Sequence, residues 1–177
     1  MSREIRKVPK NWEHPKRPDG QYEPLLDGDY EADIAKWIEG KKKWSEGLRD
    51  DWHGGWKEIE LKYVNQTYEE WGGNAPQASD YMPTWKEEEK THIQMYETCT
   101  EGTPISPVMD DPEKLARWLV DNNASAFGSM TATYEQWLST IRAGWAPSSI
   151  ASASTGVISG VEASANNKST NADGNGE

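Results

Sequence analysis

The sequence predicts a mainly α-helical fold, a small single domain in which several short amphipathic helices are joined by long tryptophan-rich loops. Helix start and stop residues bracket segments whose apolar residues recur on one face. Composition indicates a small core rich in aromatic residues, since ten Trp and seven Tyr stand beside one Phe while only 34% of the 177 residues are hydrophobic. Because a buried aromatic side chain removes ~150–250 Å² from water, a few rings are enough for a small core.

The first helix is predicted over residues 27–44. Either Asp27 or Asp29 caps its free amides, and the lysines at 41–43 fall in the last turns, where the helix dipole favours cations. The apolar residues of one face are Tyr30, Ile34, Trp37, Ile38 and Trp44.

The middle of the chain is less regular. Glycine-punctuated loops over residues 45–83 carry Trp52, Trp56 and Trp71, with weak support for a short helix between them. The capping-box spacing at residues 84–87 predicts that a further helix begins there. The stretch "THIQMYETCT" is rich in β-branched and aromatic residues, so a minor β element near residues 91–106, giving an α+β fold, remains an alternative.

Two further helices are predicted in the later half of the chain. The first begins at Asp110 or Asp111, followed by proline in its first turn, and ends at residues 122–123. The second begins at Thr131 or Thr133 and ends at Gly144, with a proline just beyond. The apolar residues expected to face the core are Leu115, Trp118, Leu119, Tyr134, Trp137, Leu138 and Ile141.

The two ends differ in composition from the domain expected over residues 20–147. Residues 1–19 are predicted to form a basic extended arm, because its prolines disfavour helix and its first eighteen residues carry a net charge of +4. Residues 148–177 are small and polar, so we expect a disordered tail in which Val157, Ile158 and Val161 make at most a short contact with the domain. The residues by which the arm would contact nucleic acid are Arg3, Arg6, Lys7, Lys10, Trp12, Lys16 and Arg17.

The charge of the whole chain restricts the class of partner. With 19 basic and 30 acidic residues the net charge is −11, which disfavours nucleic acid and anionic membranes over most of the surface. An ordered acidic surface that mimics nucleic acid is an alternative. A single cysteine, no long apolar run and no signal-peptide core predict a cytoplasmic protein without a membrane segment.

Three blocks of sequence carry a resemblance to a known family. They read "REIRKVPKNWEHPKRPDGQYEPL", "QMYETCTEGTPISPVMDDPEKLARWLVDN" and "GWAPSSI", and together cover about a third of the chain. In these blocks the chain resembles a family of small proteins, without an assigned activity, that tailed bacteriophages and prophages encode. The resemblance implies expression in a bacterial host cytoplasm. It implies no catalytic residue.

Motifs for chemistry are weak. The zinc-ligand residue types are His14, His53, His92 and Cys99, and only the last two have a spacing that places both on one face of a helix. Glu88 and Lys90 match the Glu-x-Lys element of metal-dependent nucleases. A small metal-dependent nuclease or hydrolase is therefore kept as an alternative. We predict no catalytic residue, no metal and no cofactor.

Protein binding is the function that the sequence favours. Tryptophan is a common anchor residue in interfaces. Ten tryptophans are more than the core of a small domain can bury. The candidate contact residues are Trp52 and Trp56 of the "WHGGW" loop, with Trp145 as a second site. The alternative for the loop is that both side chains fold back over the helix pair of residues 110–144. We therefore predict a non-enzymatic phage accessory protein that binds a host or phage protein, with a virion component as a further alternative.

Overall fold

The computed structural model describes residues 2–98, 102–152 and 156–169. The chain forms two compact units. Met1–Leu25 and Pro83–Glu177 make up the first, which we call the sheet unit. Leu26–Met82 make up the second, which we call the insert.

The described residues contain eight strands and five α-helices. The strands are β1 (Arg3–Val8), β2 (Leu48–Asp50), β3 (Trp56–Glu58), β4 (His92–Glu97), β5 (Thr103–Pro104), β6 (Trp145–Ala146), β7 (Ser149–Ser152) and β8 (Gly156–Ser159). The helices are α1 (Tyr30–Ser45), α2 (Tyr68–Gly72), α3 (Pro112–Asp121), α4 (Tyr134–Ala143) and α5 (Gly160–Ser169). Short 3-10 turns cover Leu61–Tyr63, Ala78–Asp80 and Glu87–Glu89.

The expectation of a mainly α fold is wrong, because the protein is α+β. Four strands form an antiparallel sheet in the order β5-β4-β1-β6, and two further hairpins pair β2 with β3 and β7 with β8. The stretch "THIQMYETCT", for which the sequence allowed either a helix or a strand, contains the strand β4. Its partner β1 runs beside it over six paired positions, from Arg3 opposite Glu97 to Val8 opposite His92.

The sheet buries one face under the helices of its own unit. On β4, Met95 points to this face and is fully buried among residues of α3, α4 and α5. Because strand side chains alternate, Gln94 and Tyr96 point to the opposite face, where both are also buried. The core residues contributed by the helices are Leu115, Ala116, Leu119, Trp137, Leu138, Ile141 and Val161.

The two helices predicted after residue 110 have the expected ends. The Asp111 carboxylate accepts the Lys114 amide at 2.9 Å, and proline opens α3 directly behind this cap. At α4 the Thr133 hydroxyl accepts the Gln136 amide, and the Gln136 side chain accepts the Thr133 amide, which makes a capping box. Gly144 ends α4 in the left-handed region, with φ at 85°.

The residues expected as a basic arm are largely built into the sheet unit. Arg3–Val8 form the interior strand β1, which pairs on one side with β4 and on the other with β6. Arg3 and Arg6 are buried, and Arg3 donates from Nε to the carbonyl of Ser125 at 2.9 Å. Local sequence predicted extended backbone here, and long-range pairing made it a strand.

Part of the expected tail also folds. The hairpin of β7 and β8 leads into α5, and Val161 is fully buried against the core of α4. Gly160 permits this close approach, because a Cβ at this position would lie 1.9 Å from the Pro147 carbonyl oxygen. Residues 170–177 lie outside the described part of the chain.

The helix predicted from residue 84 does not form. Glu89 accepts the Lys86 amide at 2.9 Å, and the chain makes only the 3-10 turn Glu87–Glu89 before it enters β4. The capping carboxylate is thus Glu89, two residues after the one that the sequence pattern suggested.

The insert begins and ends on adjacent backbone. Leu26 donates its amide to the Asp80 carbonyl at 2.8 Å and accepts the Met82 amide at 2.9 Å. Between these ends lie α1, the β2–β3 hairpin and α2. Asp29 caps α1 by accepting the Ala32 amide, so the predicted first helix is present with one of its two expected caps.

Candidate functional site

Five aromatic rings of the insert form a continuous set of contacts. We call Trp37, Trp44, Trp52, Tyr68 and Trp71 the aromatic cluster. At its centre Trp44 of α1 stacks on Trp71 of α2, with centroids 5.0 Å apart and ring planes 30° apart. Tyr68 lies between Trp37, at 5.4 Å, and Trp71, at 6.0 Å. Such pairs add ~0.5–1.5 kcal/mol each beyond area burial.

Backbone carbonyls fix two of these rings. The Trp44 indole donates to the Gln66 carbonyl at 3.1 Å, and the Trp37 indole donates to the Gly73 carbonyl at 3.0 Å. Each bond ties α1 to the segment that contains α2. The rings are therefore held in place while a part of each stays open to solvent.

The loop between β2 and β3 holds Trp52 in an uncommon backbone conformation. Its φ is 67°, in the left-handed region that non-glycine residues rarely adopt. Two carboxylates stabilise this turn: Asp50 accepts the Trp52 amide, and Asp51 accepts the amides of His53 and Gly55. These amides lower the pKa of the Asp51 carboxyl group.

The result is an exposed indole on a stabilised loop. The Trp52 side chain is 75% exposed, and its ring lies 5.9 Å from that of Trp71. Trp56, at the start of β3, is 38% exposed. Both residues that the sequence proposed for this loop are accordingly on the surface of the insert.

A pocket of about 330 Å³ opens beside the cluster. Trp56, Tyr68 and Trp71 supply its aromatic walls, and we call it the aromatic pocket. The remaining lining residues are Lys36, Glu39, Gly40, Asp50, Gly54 and Gly55.

Gly40 is the residue that lets the pocket wall approach α1. A Cβ at this position would lie 2.1 Å from the Tyr68 hydroxyl oxygen. Glycine inside a helix costs ~1 kcal/mol relative to alanine, and here it allows the tyrosine ring to rest directly on the helix backbone. Burial, with a smaller effect of the Asp50 carboxylate, raises the pKa of the Tyr68 phenol.

Arg49 holds the hairpin beside Trp71. Its side chain is buried, pairs with Glu60, and donates to the Asp50 carbonyl at 3.1 Å. The guanidinium carbon lies 6.0 Å from the Trp71 ring centroid, a cation–π distance. The charge of Arg49 is therefore already matched by a carboxylate.

The third candidate tryptophan belongs to the sheet unit. Trp145 lies on β6 opposite Glu4 of β1 and is 53% exposed. Trp145 therefore belongs to a different unit from the residues of the aromatic pocket.

The candidate nucleic-acid residues do not form one exposed row. Arg3 and Arg6 are buried, and Arg6 lies 4.4 Å from the Tyr96 ring centroid while donating to the Leu25 carbonyl. Trp12 packs against Trp85 at 4.9 Å and donates to the Tyr96 hydroxyl. The exposed members of the set are Lys7, Lys10, Lys16 and Arg17.

A buried polar network surrounds that hydroxyl. His14 Nδ1 lies 3.1 Å from the Tyr96 oxygen, and His14 Nε2 lies 2.6 Å from the Glu23 carbonyl oxygen. Because a carbonyl only accepts, Nε2 carries the proton of the neutral ring. Gln94 Oε1, 2.9 Å away, is a second acceptor beside His14 Nδ1 for the one proton of the Tyr96 hydroxyl. This network accounts for His14 as a structural residue of the sheet unit.

The other chemical motifs stay separate. Over residues 2–98, 102–152 and 156–169, no group of three or more His, Cys, Asp or Glu is arranged to hold a metal ion. Cys99 lies outside the described residues. Of the nuclease-like pair, Glu88 lies in an exposed 3-10 turn, and Lys90 forms an ion pair with Glu87 instead.

Sequence reasoning missed most of the pocket. It treated Trp71 as a loop residue and did not single out Tyr68, Gly40, Glu39 or Asp50. Two signals were present in the sequence: a glycine in the middle of an amphipathic helix, and a pair of aspartates before "WHGGW".

Comparisons with protein-family models, with curated proteins and with solved structures give no match to this chain. Within the described residues, no helix is both long enough and apolar enough to cross a membrane.

Proposed function

We propose that the protein is a non-enzymatic accessory protein that binds another protein through the tryptophan-rich face of the insert. This face consists of Trp52, Trp56 and Trp71 with the adjoining aromatic pocket. The interaction would occlude or tether the partner.

The exposure of Trp52 on a stabilised, positive-φ loop is the observation that carries this proposal. A backbone conformation of this kind costs of order 1–3 kcal/mol and persists where the surroundings hold it. Here the carboxylates of Asp50 and Asp51 hold it, and the turn presents an indole to solvent. Buried indoles are common; an indole held outward by two carboxylates is a feature suited to contact with a partner.

The pocket next to this indole supports the same function. Aromatic side chains dominate the energetics of protein interfaces, and their partners insert into well-formed concavities. Two of the walls pack against fixed rings: Trp71 stacks on Trp44 and Tyr68 contacts Trp37, and both of these indoles donate to backbone carbonyls. Such a site loses little conformational entropy when it binds.

The compartment and source of the partner belong to the same proposal. The resemblance to proteins of tailed bacteriophages suggests a partner in the bacterial cytoplasm, of host or phage origin. The net charge of −11 supports a protein partner over nucleic acid for most of the surface.

The test is affinity capture from bacterial lysate treated with nuclease, using the tagged protein and the variant with Trp52→Ala and Trp56→Ala together. We expect one stoichiometric protein to be retained by the parent chain and lost from the variant, because truncating interface anchors costs ~2 kcal/mol or more.

Leu61→Ala is the matched control, since Leu61 is 93% exposed in the same insert but does not line the pocket. Equal retention by parent and double variant would contradict the proposal. Loss with Trp145→Ala alone would assign binding to the sheet unit instead.

A further inference from the structure

We infer that the aromatic pocket is the receptor for a single arginine side chain from a basic segment of the protein partner. This inference rests on the proposed function and adds to it the chemistry of the contact. The partner is thus a protein with an arginine in an exposed segment, and the pocket binds the side chain of that arginine.

The walls suit a planar cation. Trp56, Tyr68 and Trp71 border one cavity, and the faces of indole and phenol rings attract cations. A guanidinium group stacks on such faces better than an ammonium group, because it is flat and more weakly hydrated.

Two carboxylates border the same cavity without a cation of their own. Across the described parts of the chain, Glu39 has no ion pair or hydrogen bond, and Asp50 uses only Oδ1, for the Trp52 amide. Neighbouring carboxylates are engaged, as Glu60 is with Arg49 and Glu69 with Lys41. The pocket therefore offers acceptors for a forked donor, and guanidinium matches carboxylate geometry better than ammonium does.

The charge of the whole insert favours the same ligand. Residues 26–82 contain thirteen Asp and Glu against seven Lys and Arg. Of the charged residues that line the pocket, Glu39 and Asp50 outnumber Lys36. A cation is attracted to this unit from a distance and then held by the lining carboxylates.

The size of the pocket limits the ligand. At about 330 Å³ it lies at the small end of the ~300–1,000 Å³ range for binding pockets. It thus takes one long side chain, while Trp52 beside it remains free for the flanking residues of the partner.

The experiment uses the full chain and two blocked tripeptides, N-acetyl-Gly-Arg-Gly-amide and the same peptide with citrulline in place of arginine. Citrulline has nearly the same shape and no charge. Two-dimensional NMR follows the indole N–H signals of Trp56 and Trp71. We expect saturable shifts with the arginine peptide at a dissociation constant on the order of 1 mM, since one charged contact binds weakly, and much smaller shifts with citrulline.

Variants of the lining residues sharpen the test. Glu39→Gln and Asp50→Asn each weaken arginine binding about fivefold, as expected for loss of one partly exposed charge pair. Asparagine keeps an acceptor for the Trp52 amide, so the loop is retained. Lys36→Met strengthens binding about twofold, because it removes a like charge. Glu58→Gln is the control, since Glu58 is exposed on β3 outside the pocket.

Equal shifts with both peptides, or unchanged affinity in Glu39→Gln and Asp50→Asn, would overturn the inference. Its failure is distinguishable from that of the proposed function. A partner lost with Trp52→Ala and Trp56→Ala but insensitive to Asp50→Asn leaves protein binding intact and removes arginine recognition. If the arginine peptide binds but no partner is captured, arginine recognition stands and the proposed protein-binding function fails.

Discussion

The sheet unit and the insert are stabilised in different ways. In the sheet unit, Met95, Leu119 and Trp137 have no exposed surface, because they pack in the core between one face of the sheet and the helices. In the insert, Gly40 is the one buried residue of α1 over Tyr30–Ser45. The insert is held by ring contacts, caps and ion pairs, and the rings of the aromatic cluster are partly exposed, that of Trp52 most of all.

The difference bears on which unit we propose to bind a partner. Full burial maximises the hydrophobic contribution and leaves nothing for a partner. Aromatic rings that are only half buried contribute less to the stability of the fold, but their exposed apolar area remains available for binding. The insert has the second arrangement, which is why both the proposed face and the proposed ligand site are assigned to it.

The largest expected effect lies in the sheet unit. Trp137→Ala removes a fully buried indole from the contact between α4 and the core, so we expect the free energy of unfolding to fall by ~3–5 kcal/mol. Urea denaturation followed by far-UV circular dichroism measures it. Trp118→Ala, at a partly buried position on α3, is the comparison and should cost clearly less. An equal loss of unfolding free energy in the two variants would contradict the view that a fully buried tryptophan contributes more to stability than a partly exposed one.

In the insert, Gly40→Ala tests the contact between Tyr68 and α1. In an ordinary helix this change stabilises by up to ~1 kcal/mol, but here the new methyl group meets the tyrosine hydroxyl. We expect destabilisation by ~1–3 kcal/mol in denaturant unfolding. The sign should reverse in a Tyr68→Ala background. Stabilisation by Gly40→Ala in the parent chain would show that the ring does not rest on the helix.

The Trp52 turn provides a smaller and more specific test. Trp52→Gly and Trp52→Ala lose the same ring contact with Trp71 and differ in backbone preference. Because a left-handed conformation costs a non-glycine residue ~1–2 kcal/mol, the glycine variant should be more stable than the alanine variant by about 1 kcal/mol. Thermal unfolding of the two proteins in parallel measures the difference. Equal stability would contradict the positive φ at residue 52.

The smallest effect is a dependence on pH in the sheet unit. Burial lowers the pKa of His14 below its ordinary value of 6.5, a nearby Arg6 acts in the same direction, and the bond to the Glu23 carbonyl opposes them. Below pH 6.5 the unfolded chain takes up the proton first, so the free energy of unfolding falls with acidification until the folded histidine also protonates.

Replacing His14 isolates that contribution. Denaturation midpoints of the parent and His14→Gln should draw closer as the pH falls below 6.5, because the unfolded parent takes up a proton there before the folded parent does. Leu61→Ala is the control, since Leu61 is exposed and does not titrate, and its midpoints should run parallel to those of the parent. A parallel course for His14→Gln as well would show that His14 does not contribute.

The starts of α1, α3 and α4, and the end of α4, are the part of the fold that the sequence determined by itself. Asp29, Asp111 and Thr133 cap helices where the pattern predicted a start, and Gly144 ends α4 where it predicted a stop. A cap is satisfied within three or four residues of its own position, so no distant partner is needed. The exposed indole at residue 52 was likewise anticipated as one of two alternatives.

Only the tertiary structure decided the sheet, the burial of the last described helix, and the pocket. The segment at 92–97 became a strand because β1, about ninety residues earlier in the chain, supplies its hydrogen bonds. Val161 became a core residue because Gly160 lets the backbone approach Pro147. The aromatic pocket assembles from α1, α2 and a hairpin, and the contacts between the two helices, Trp37 with Tyr68 and Trp44 with Trp71, join residues distant in sequence. Pairings of this kind depend on loop closure and on packing, which local patterns do not encode.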